Sequence, residues 1–433
     1  MKILFLIFAI LTCSFSSHSQ STQKRDDLTV IIEEFLVEMK GLKIPEFDLS
    51  FQENLKRIPN LENINNQAVF FEKYFSKLQS IDRNILTRDQ VYQYDVLAFE
   101  IRLNLERLAL EKQLKENSTQ DSYDGLFHLP NSKQWYAFYI KKWTSTEISP
   151  EDVFDYGVGE VNRIVAEYRN IQEKLGYKNK DEAFYAHLNS PSFLITKEPE
   201  LLKKFQATRK LAQKNLKEIF ETTNIPSIAI KPILNSTKDS PPGYYTENTF
   251  YYNFFGDKFS ERNIDWLYIH EAVPGHHYET SISNINQFPL LKRFFYSGYS
   301  EGWAAYMENL GKDLGFYQDP YQQLGKWEWD MVRSVRLPMD VGLNYLGWTK
   351  QQALDFWKKY IPNQDSIAMR EIDRIIRWPV QVMSYKLGER AILKLKNDCQ
   401  KKLGPRFNVR KFHSNILKNG NLPLPILENN FSC

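Results

Sequence analysis

The sequence predicts a mostly α-helical fold with a small β component. Apolar residues recur at steps of three and four over long stretches, and helix-start signals precede several of those stretches. Strand-like patterning is confined to two short runs. From about Asp27 to Lys115 the chain reads as several helices separated by polar links. Ser149-Pro150-Glu151-Asp152 is a helix start: a cap, a first-turn proline and acidic residues near the positive end of the dipole. After it, Phe154, Val158, Val161, Val165 and Tyr168 form the apolar face of an amphipathic helix. Thr349 with Gln352 is a capping box, opening a helix with Leu354, Trp357 and Ile361 on one side. Ser227 to Leu234 alternates between prolines, and Thr249 to Phe255 is an aromatic run ending at Gly256; both read as strands. Ser240-Pro241-Pro242-Gly243 between them reads as a turn. The polar link Glu116 to Gly125 divides a helical N-terminal subdomain, about 20–125, from a core of about 126–433 within one domain.

Composition excludes some functions. The chain has 433 residues, 42% of them hydrophobic, which is ample for a packed core. Its 56 basic and 53 acidic residues leave a net charge of +3, far from the excess of a nucleic-acid binder. Lys2, the apolar run Ile3 to Leu11 and the small-x-small sequence Ser17-His18-Ser19 have the pattern of a signal peptide over residues 1–19. The expectation is an exported protein, periplasmic or extracellular. The run is too short to span a bilayer, which takes ~20 apolar residues. Leu11-Thr12-Cys13 suggests a lipid anchor at Cys13, although Thr12 suits that signal poorly. Removal of the leader leaves Cys399 and Cys433, either a disulfide that pins the tail or two unrelated thiols. Oligomeric state is not readable.

Three of the seven histidines fall between positions 270 and 277, in His270-Glu271-Ala272-Val273-Pro274-Gly275-His276-His277. The segment begins like the zinc-peptidase motif His-Glu-x-x-His, whose histidines sit one helical turn apart and share one ion. There the glutamate faces the activated water as general base, the role expected of Glu271. Here position 274 is proline, and the next histidine comes at i+6 or i+7. On a straight helix i+6 means ~9 Å of rise and a different face. Pro274-Gly275 offers a way out, because proline breaks a helix and glycine permits unusual dihedrals. A bulge there returns His276, or else His277, to the place of the second ligand. A third ligand is expected from a later helix, and Glu301, 301 − 270 = 31 residues on, fits that place. A buried carboxylate beside two imidazoles makes chemical sense with positive charge between them. The small residues after Glu301 let two helices approach closely. The bland alternative is a solvated helix residue.

Several separated blocks share a family resemblance. They are the segment His270 to His277, Glu301-Gly302-Trp303-Ala304, and Arg333, Arg336, Asp340 and Gly342, then Gly347-Trp348-Thr349, Pro379 with Gln381, Ser384, Tyr385 and Gly388, and Phe412-His413. From about Trp135 onward the chain resembles the bacterial domain-of-unknown-function family 885, grouped with zincin peptidases and distantly similar to angiotensin-converting-enzyme-like carboxypeptidases. The resemblance implies a zincin-like helical metallopeptidase fold with a small sheet beside the metal helix. It also implies zinc (Zn2+) held by His270, His276 or His277, and Glu301, with Glu271 as base. Two positions depart from such relatives: Asn344 stands where histidine is common, and Ile375 where tyrosine is common.

Tyr385 lies in a matching block and is the candidate oxyanion donor. Arg336 and Arg374, with Arg333, are candidates for a substrate carboxylate; the alternative is pairing with internal acids such as Asp330 or Asp340. The strand from Thr249 reads either as an edge that pairs with extended substrate or as a core strand. His128, His187 and His413 read as packed or surface residues. The leading expectation is a zinc peptidase acting on short peptides, in the manner of a carboxypeptidase or dipeptidyl carboxypeptidase. Runners-up are a zinc hydrolase of another class, such as an amidase, and a non-catalytic metal-binding protein. A di-iron bundle is disfavoured, because paired Glu-x-x-His motifs are absent.

Overall fold

The computed structural model describes residues 27–117, 123–237, 240–286 and 288–433. The expected leader (1–19) and Cys13 lie outside the described residues. Helices dominate: α1 (27–41), α2 (Phe51–Lys56), α3 (Leu61–Gln79), α4 (Arg88–Asn117), α5 (Ser132–Thr144), α6 (Pro150–Lys174), α7 (Asp181–Leu188) and α8 (Glu198–Ile219) precede the site. There follow α9 (Ile264–Glu271), α10 (His276–Asn286), α11 (Ser297–Asn309), α12 (Pro320–Val341), α13 (Lys350–Tyr360), α14 (Asp365–Arg377), α15 (Met383–Leu403), α16 (Val409–Leu417) and α17 (Leu424–Asn430). Five short strands are β1 (Leu194–Ile195), β2 (Ala229–Pro232), β3 (Gly243–Thr246), β4 (Thr249–Tyr252) and β5 (Phe259–Ser260). Among the described residues no helix is long and apolar enough to cross a membrane.

The chain forms two compact units. The first comprises the described residues up to 48, those from 52 to 117, and 288–294; the second is the remainder. In the first, α3 packs along α4, and Phe35 of α1 stacks on Phe70 with ring centroids 5.3 Å apart. Arg107 is buried there but satisfied, reaching Glu111 at 2.8 Å and Gln67 at 2.8 Å. Such pairing is what makes burial of a charge tolerable.

The second unit is built on close helix contacts at glycines. α6 lies along α12, and a Cβ on Gly157 would stand 2.6 Å from Pro338. α11 lies along α15; a Cβ on Gly388 would stand 1.8 Å from the Gly298 carbonyl oxygen, and one on Gly302 2.4 Å from the Gly388 backbone. The expected close approach beside Glu301 is therefore made with α15. Ser149 caps α6 by accepting from the Asp152 amide, and Thr349 with Gln352 forms the capping box of α13. The buried stripe of α6 runs through Val153, Gly157, Val161 and Ile164, so only Val161 of the expected face is fully buried. The stripe is turned because the closest contact with α12 falls at Gly157, which no apolar pattern marks.

The three-stranded sheet has the order β2-β4-β3, with β2 parallel and β3 antiparallel to β4. Of the two readings of the strand from Thr249, edge or core, the structure bears out the core strand: β4 is central, and both its sides are paired. The edge beside α9 is β3, where the Gly243 backbone meets Leu267. The turn expected at 240–243 passes straight into this third strand. β3 returns to β4 through Glu247 and Asn248, both with positive φ, the conformation of a tight two-residue hairpin turn. Cys399 of α15 is disulfide-bonded to Cys433, so the two cysteines form a pair.

An added methyl separates the tight glycines from the free ones. Gly388→Ala is expected to lower unfolding free energy by about 3 kcal/mol. Gly159→Ala on α6, where an added Cβ meets nothing within 4 Å, should raise it by about 0.5–1 kcal/mol. Denaturant melts of the two variants check this; equal effects would refute the packing account.

Candidate metal centre

α9 is buried along its whole length. Its apolar residues seat it against the sheet and α11, which fixes His270 and Glu271 at its C-terminal end. The helix stops at Glu271 and α10 begins at His276. Between them the Val273–Pro274 peptide is cis. Gly275 lies so close to the end of α9 that a Cβ would stand 1.9 Å from the His270 carbonyl oxygen, an approach open only to glycine. The Trp303 indole N–H donates to the Pro274 carbonyl at 2.9 Å and ties the turn to α11.

This turn brings His276 back to His270, with ring centroids 4.9 Å apart. α11 adds Glu301, whose Oε2 is 3.4 Å from His270 Nε2 and 3.3 Å from His276 Nε2. That oxygen is buried and has no hydrogen-bond partner. Two ligands of one tetrahedral zinc ion, each ~2.0–2.1 Å from it, stand ~3.3–3.4 Å apart. The donor set therefore could hold one metal ion. Glu271 offers a carboxylate oxygen to the same cluster, with His270 and His276.

The far side of each imidazole is held. His270 Nδ1 lies 2.8 Å from Glu308 Oε1, and Arg333 grips that carboxylate at 2.7 and 2.8 Å. With Nδ1–H donating to Glu308, the Nε2 lone pair is turned to the cluster. His276 Nδ1 lies 3.2 Å from the Ser300 hydroxyl, which donates to Glu279 at 2.9 Å. Burial and Arg333 push His270 down, yet Glu301 and Glu308 carry it to about 9. Burial alone would raise Glu301, but His270 and His276 hold its carboxyl well below the usual range. Burial dominates at Glu271 and raises it. The space between Glu301 and the imidazoles thus attracts positive charge.

His277 lies elsewhere, and its inclusion among the ligand candidates is corrected. Its Nε2 is 2.8 Å from the Pro226 carbonyl oxygen and its Nδ1 3.2 Å from the Tyr245 hydroxyl. Tyr385 stands next to the cluster, its ring stacked 6.1 Å from that of His270. A cavity of about 910 Å³ opens here, lined by His270, Glu271 and Tyr385 and extending to β3 and α14. Burial raises the Tyr385 phenol, with Glu301 adding to it.

The arginines divide. Arg333 serves Glu308. Arg336 is buried and bound to Glu371 at 2.7 Å, so its expected place on a substrate is corrected to an internal ion pair. Arg374 donates to Gln381 at 2.7 Å through one nitrogen and lines the cavity. Asp330 and Asp340 take none of the three: Asp340 accepts from Tyr136, Asn344 and the Val380 amide. A second acidic cluster, Glu160, Asp330 and Glu389, already holds Lys386, whose ammonium lies 2.8 Å from Asp330 and 2.8 Å from Glu160. His413 and His187 are hydrogen-bonded to Tyr306 and Tyr321, and His128 is exposed. Asn344 and Ile375 are buried off the cavity, with the Asn344 amide on the Ile375 carbonyl.

Sequence reading missed Glu308, Ser300 and Glu279. Glu308 had a signal: it follows Glu301 by seven residues, two helical turns on the same face. Ser300 and Glu279 had none, since their pairing crosses between α10 and α11.

Residues 104–431 match the model of a family described as bacterial protein of unknown function (DUF885). The chain belongs to this family. No curated protein matches it. Among solved structures, the DUF885 chain is similar to a "putative lipoprotein" from Colwellia psychrerythraea, at 27% identity and a TM-score of 0.66, over 83% of this chain and 65% of that one. It thus spans just under two thirds of that relative. A second, from Shewanella oneidensis, carries the same description with unknown function; it shares the fold at 18% identity, with a TM-score of 0.60 over 87% and 76% of the chains.

If the Pro274-Gly275 turn selects His276, then His276→Ala should lose tight zinc binding. His277→Ala should keep most of it, with reduced thermal stability from its two lost hydrogen bonds. Metal titration of both variants decides; equal retention would dissolve the cluster reading.

Proposed function

We propose that the protein is a zinc-dependent peptidase of zincin-like fold that hydrolyses short peptides. The observation that carries this is Glu301 Oε2, a buried carboxylate oxygen with no hydrogen bond, set 3.3–3.4 Å from two imidazole Nε2 atoms. A buried carboxylate oxygen without a hydrogen bond is costly, and a divalent cation on these three side chains would offset that cost. His270, His276 and Glu301 would hold the ion. Zinc held there supplies Lewis acidity towards water and towards a substrate carbonyl.

The chain's own residues do the rest. Glu271 faces the same space from the cavity wall and takes the proton from the attacking water. Its burial raises its proton affinity, which suits a group that must accept a proton and pass it to the leaving amine. Tyr385 keeps its proton, because burial raises the phenol, and so donates a hydrogen bond to the oxygen that gains charge. Glu308 and Ser300 keep the two imidazoles in the required tautomer and orientation. The free edge of β3 leads into the cavity at Gly243 and suits an extended peptide.

Export fits the same reading. The Cys399–Cys433 disulfide suits an oxidising compartment, and the Colwellia relative is described as a lipoprotein candidate. The intact mass of the mature protein distinguishes cleavage after Ser19 from a lipid on Cys13.

Two substitutions separate base from ligand. Glu271→Gln should keep fold and zinc while turnover of a peptide library, read by mass spectrometry, falls by ~10²–10⁴-fold. Glu301→Gln should lose zinc first, because an amide is the poorer ligand. Undiminished hydrolysis by Glu271→Gln, with metal content verified, would refute the assignment.

A further inference from the structure

Part of the cavity wall is made by α14. Arg370, Arg374 and Arg377, at steps of four and three, all line it and so share one helix face. The carboxylate beside them is Glu371, which is shared: Oε2 is 2.7 Å from Arg336 and 3.7 Å from Arg374, and Oε1 is 3.2 Å from Arg370. Asp373 also lines the cavity, but its carboxylate holds Lys350 at 2.7 Å. Arg377 is exposed, lies over the Trp378 ring at 5.1 Å, and pairs with no carboxylate among the described residues. Arg374 Nη1 is buried with no hydrogen-bond partner.

Three guanidinia share one carboxylate, Arg336 buried and Arg370 and Arg374 half-buried, and with Arg377 at the rim they leave excess positive charge in a partly desolvated wall. The crowding registers at Arg336, pushed down to about 10 by burial, with Arg374 and Arg333 repelling it against the pull of Glu371. An anion entering the cavity would relieve that repulsion. A guanidinium fork matches a carboxylate in two-point geometry, and the cavity joins this wall to His270 and Glu271.

We propose that Arg374 and Arg377 bind a carboxylate of the substrate and thereby set which bond lies at Glu271. Arg336 and Glu371 act as positioning residues that hold Arg374 at the wall. This deepens the peptidase reading and rests on it for the peptide; the anion site itself stands on the arginine wall. The carboxylate comes either from a free C-terminus or from an acidic side chain.

The test uses the full-length, zinc-loaded Glu271→Gln protein, so that binding is read without turnover. Calorimetry compares acetyl-trialanine as the free acid, its C-terminal amide, and an amide carrying one internal glutamate. Glutarate and inorganic phosphate serve as small probes. The free acid should bind roughly tenfold or more tightly than the neutral amide. Adding Arg374→Gln or Arg377→Gln should each remove most of that gap without weakening the amide, with zinc content and circular dichroism unchanged. An internal glutamate that restores the gap supports the site and assigns the carboxylate to a side chain. Glutarate binding that is lost in both arginine variants, with no peptide bound, supports the anion site while the peptidase reading alone fails. Phosphate displacing glutarate supports an anion site on these arginines; equal binding of acid and amide, or a gap that survives both arginine substitutions, would overturn the proposal. Arg377 is at the surface, so its variant reports even where Arg374→Gln unfolds.

Discussion

The contact between α11 and α15 at Gly298, Gly302 and Gly388 is the constraint on which the site depends. α11 carries Ser300, Glu301, Trp303 and Glu308, and α15 carries Tyr385, Lys386 and Glu389. Backbones in direct contact bring these two sets to one level. Larger residues at Gly302 or Gly388 would push the two helices apart, and one at Gly298 would strike Thr144 of α5. Glu301 Oε2 is buried beside two imidazoles on a helix whose backbone is in direct contact with α15.

A second constraint is charge. The second unit buries an unusual number of ionic groups, and most are matched locally. Arg333 meets Glu308, Lys386 meets Asp330, Glu160 and Glu389, and Lys326 meets Asp330. Where cation and carboxylate stand within hydrogen-bond reach the pair is tolerated, though desolvation consumes much of its attraction. Two places break the rule, in opposite senses. Around Glu301 two carboxylates, Glu271 and Glu301, face two imidazoles, and beside α14 the guanidinia of Arg336, Arg370 and Arg374 share the single carboxylate of Glu371. The arginines line the cavity, and so do His270 and Glu271 of the cluster.

The helical class, the caps at Ser149 and Thr349, and the membership of His270, Glu271 and Glu301 in one neighbourhood were legible in the sequence. The class and the caps rest on spacing along a single element, where periodicity carries the information; Glu301, on another helix, was placed by its sequence distance from His270 and by the family resemblance. The choice of His276 over His277 was not legible. It depends on how far the chain turns at Gly275, and on Pro226 and Tyr245, 51 and 32 residues away, which claim the other ring. The buried face of α6 was misplaced for a similar reason: a glycine selected for contact carries no hydrophobic signal. β3 was hidden in a turn-rich segment whose strand character comes from its partner. Arg336 was read as a substrate ligand, with Asp330 or Asp340 as the internal alternative, and its partner is neither: ion-pair partners are chosen across the fold, and no local pattern links Arg336 to Glu371.

The disulfide adds something of another kind. Cys399 and Cys433 close a loop with a sequence separation of 34, and loop-closure entropy on that scale is worth about 4 kcal/mol in the chain-entropy model. That is a large fraction of the ~5–15 kcal/mol that keeps an ordinary domain folded. The terminal helices α16 and α17 lie inside the loop, and His413 of α16 is bonded to Tyr306 on the helix that carries Glu301. A chain held in a reducing environment would therefore lose stability at its far end first. The loss would reach the helix of Glu301 through that bond, through the Tyr299 hydroxyl on the Ile416 carbonyl and through Trp303 against His413, and the thermodynamics of the tail would tie the integrity of the site to the redox state of its surroundings.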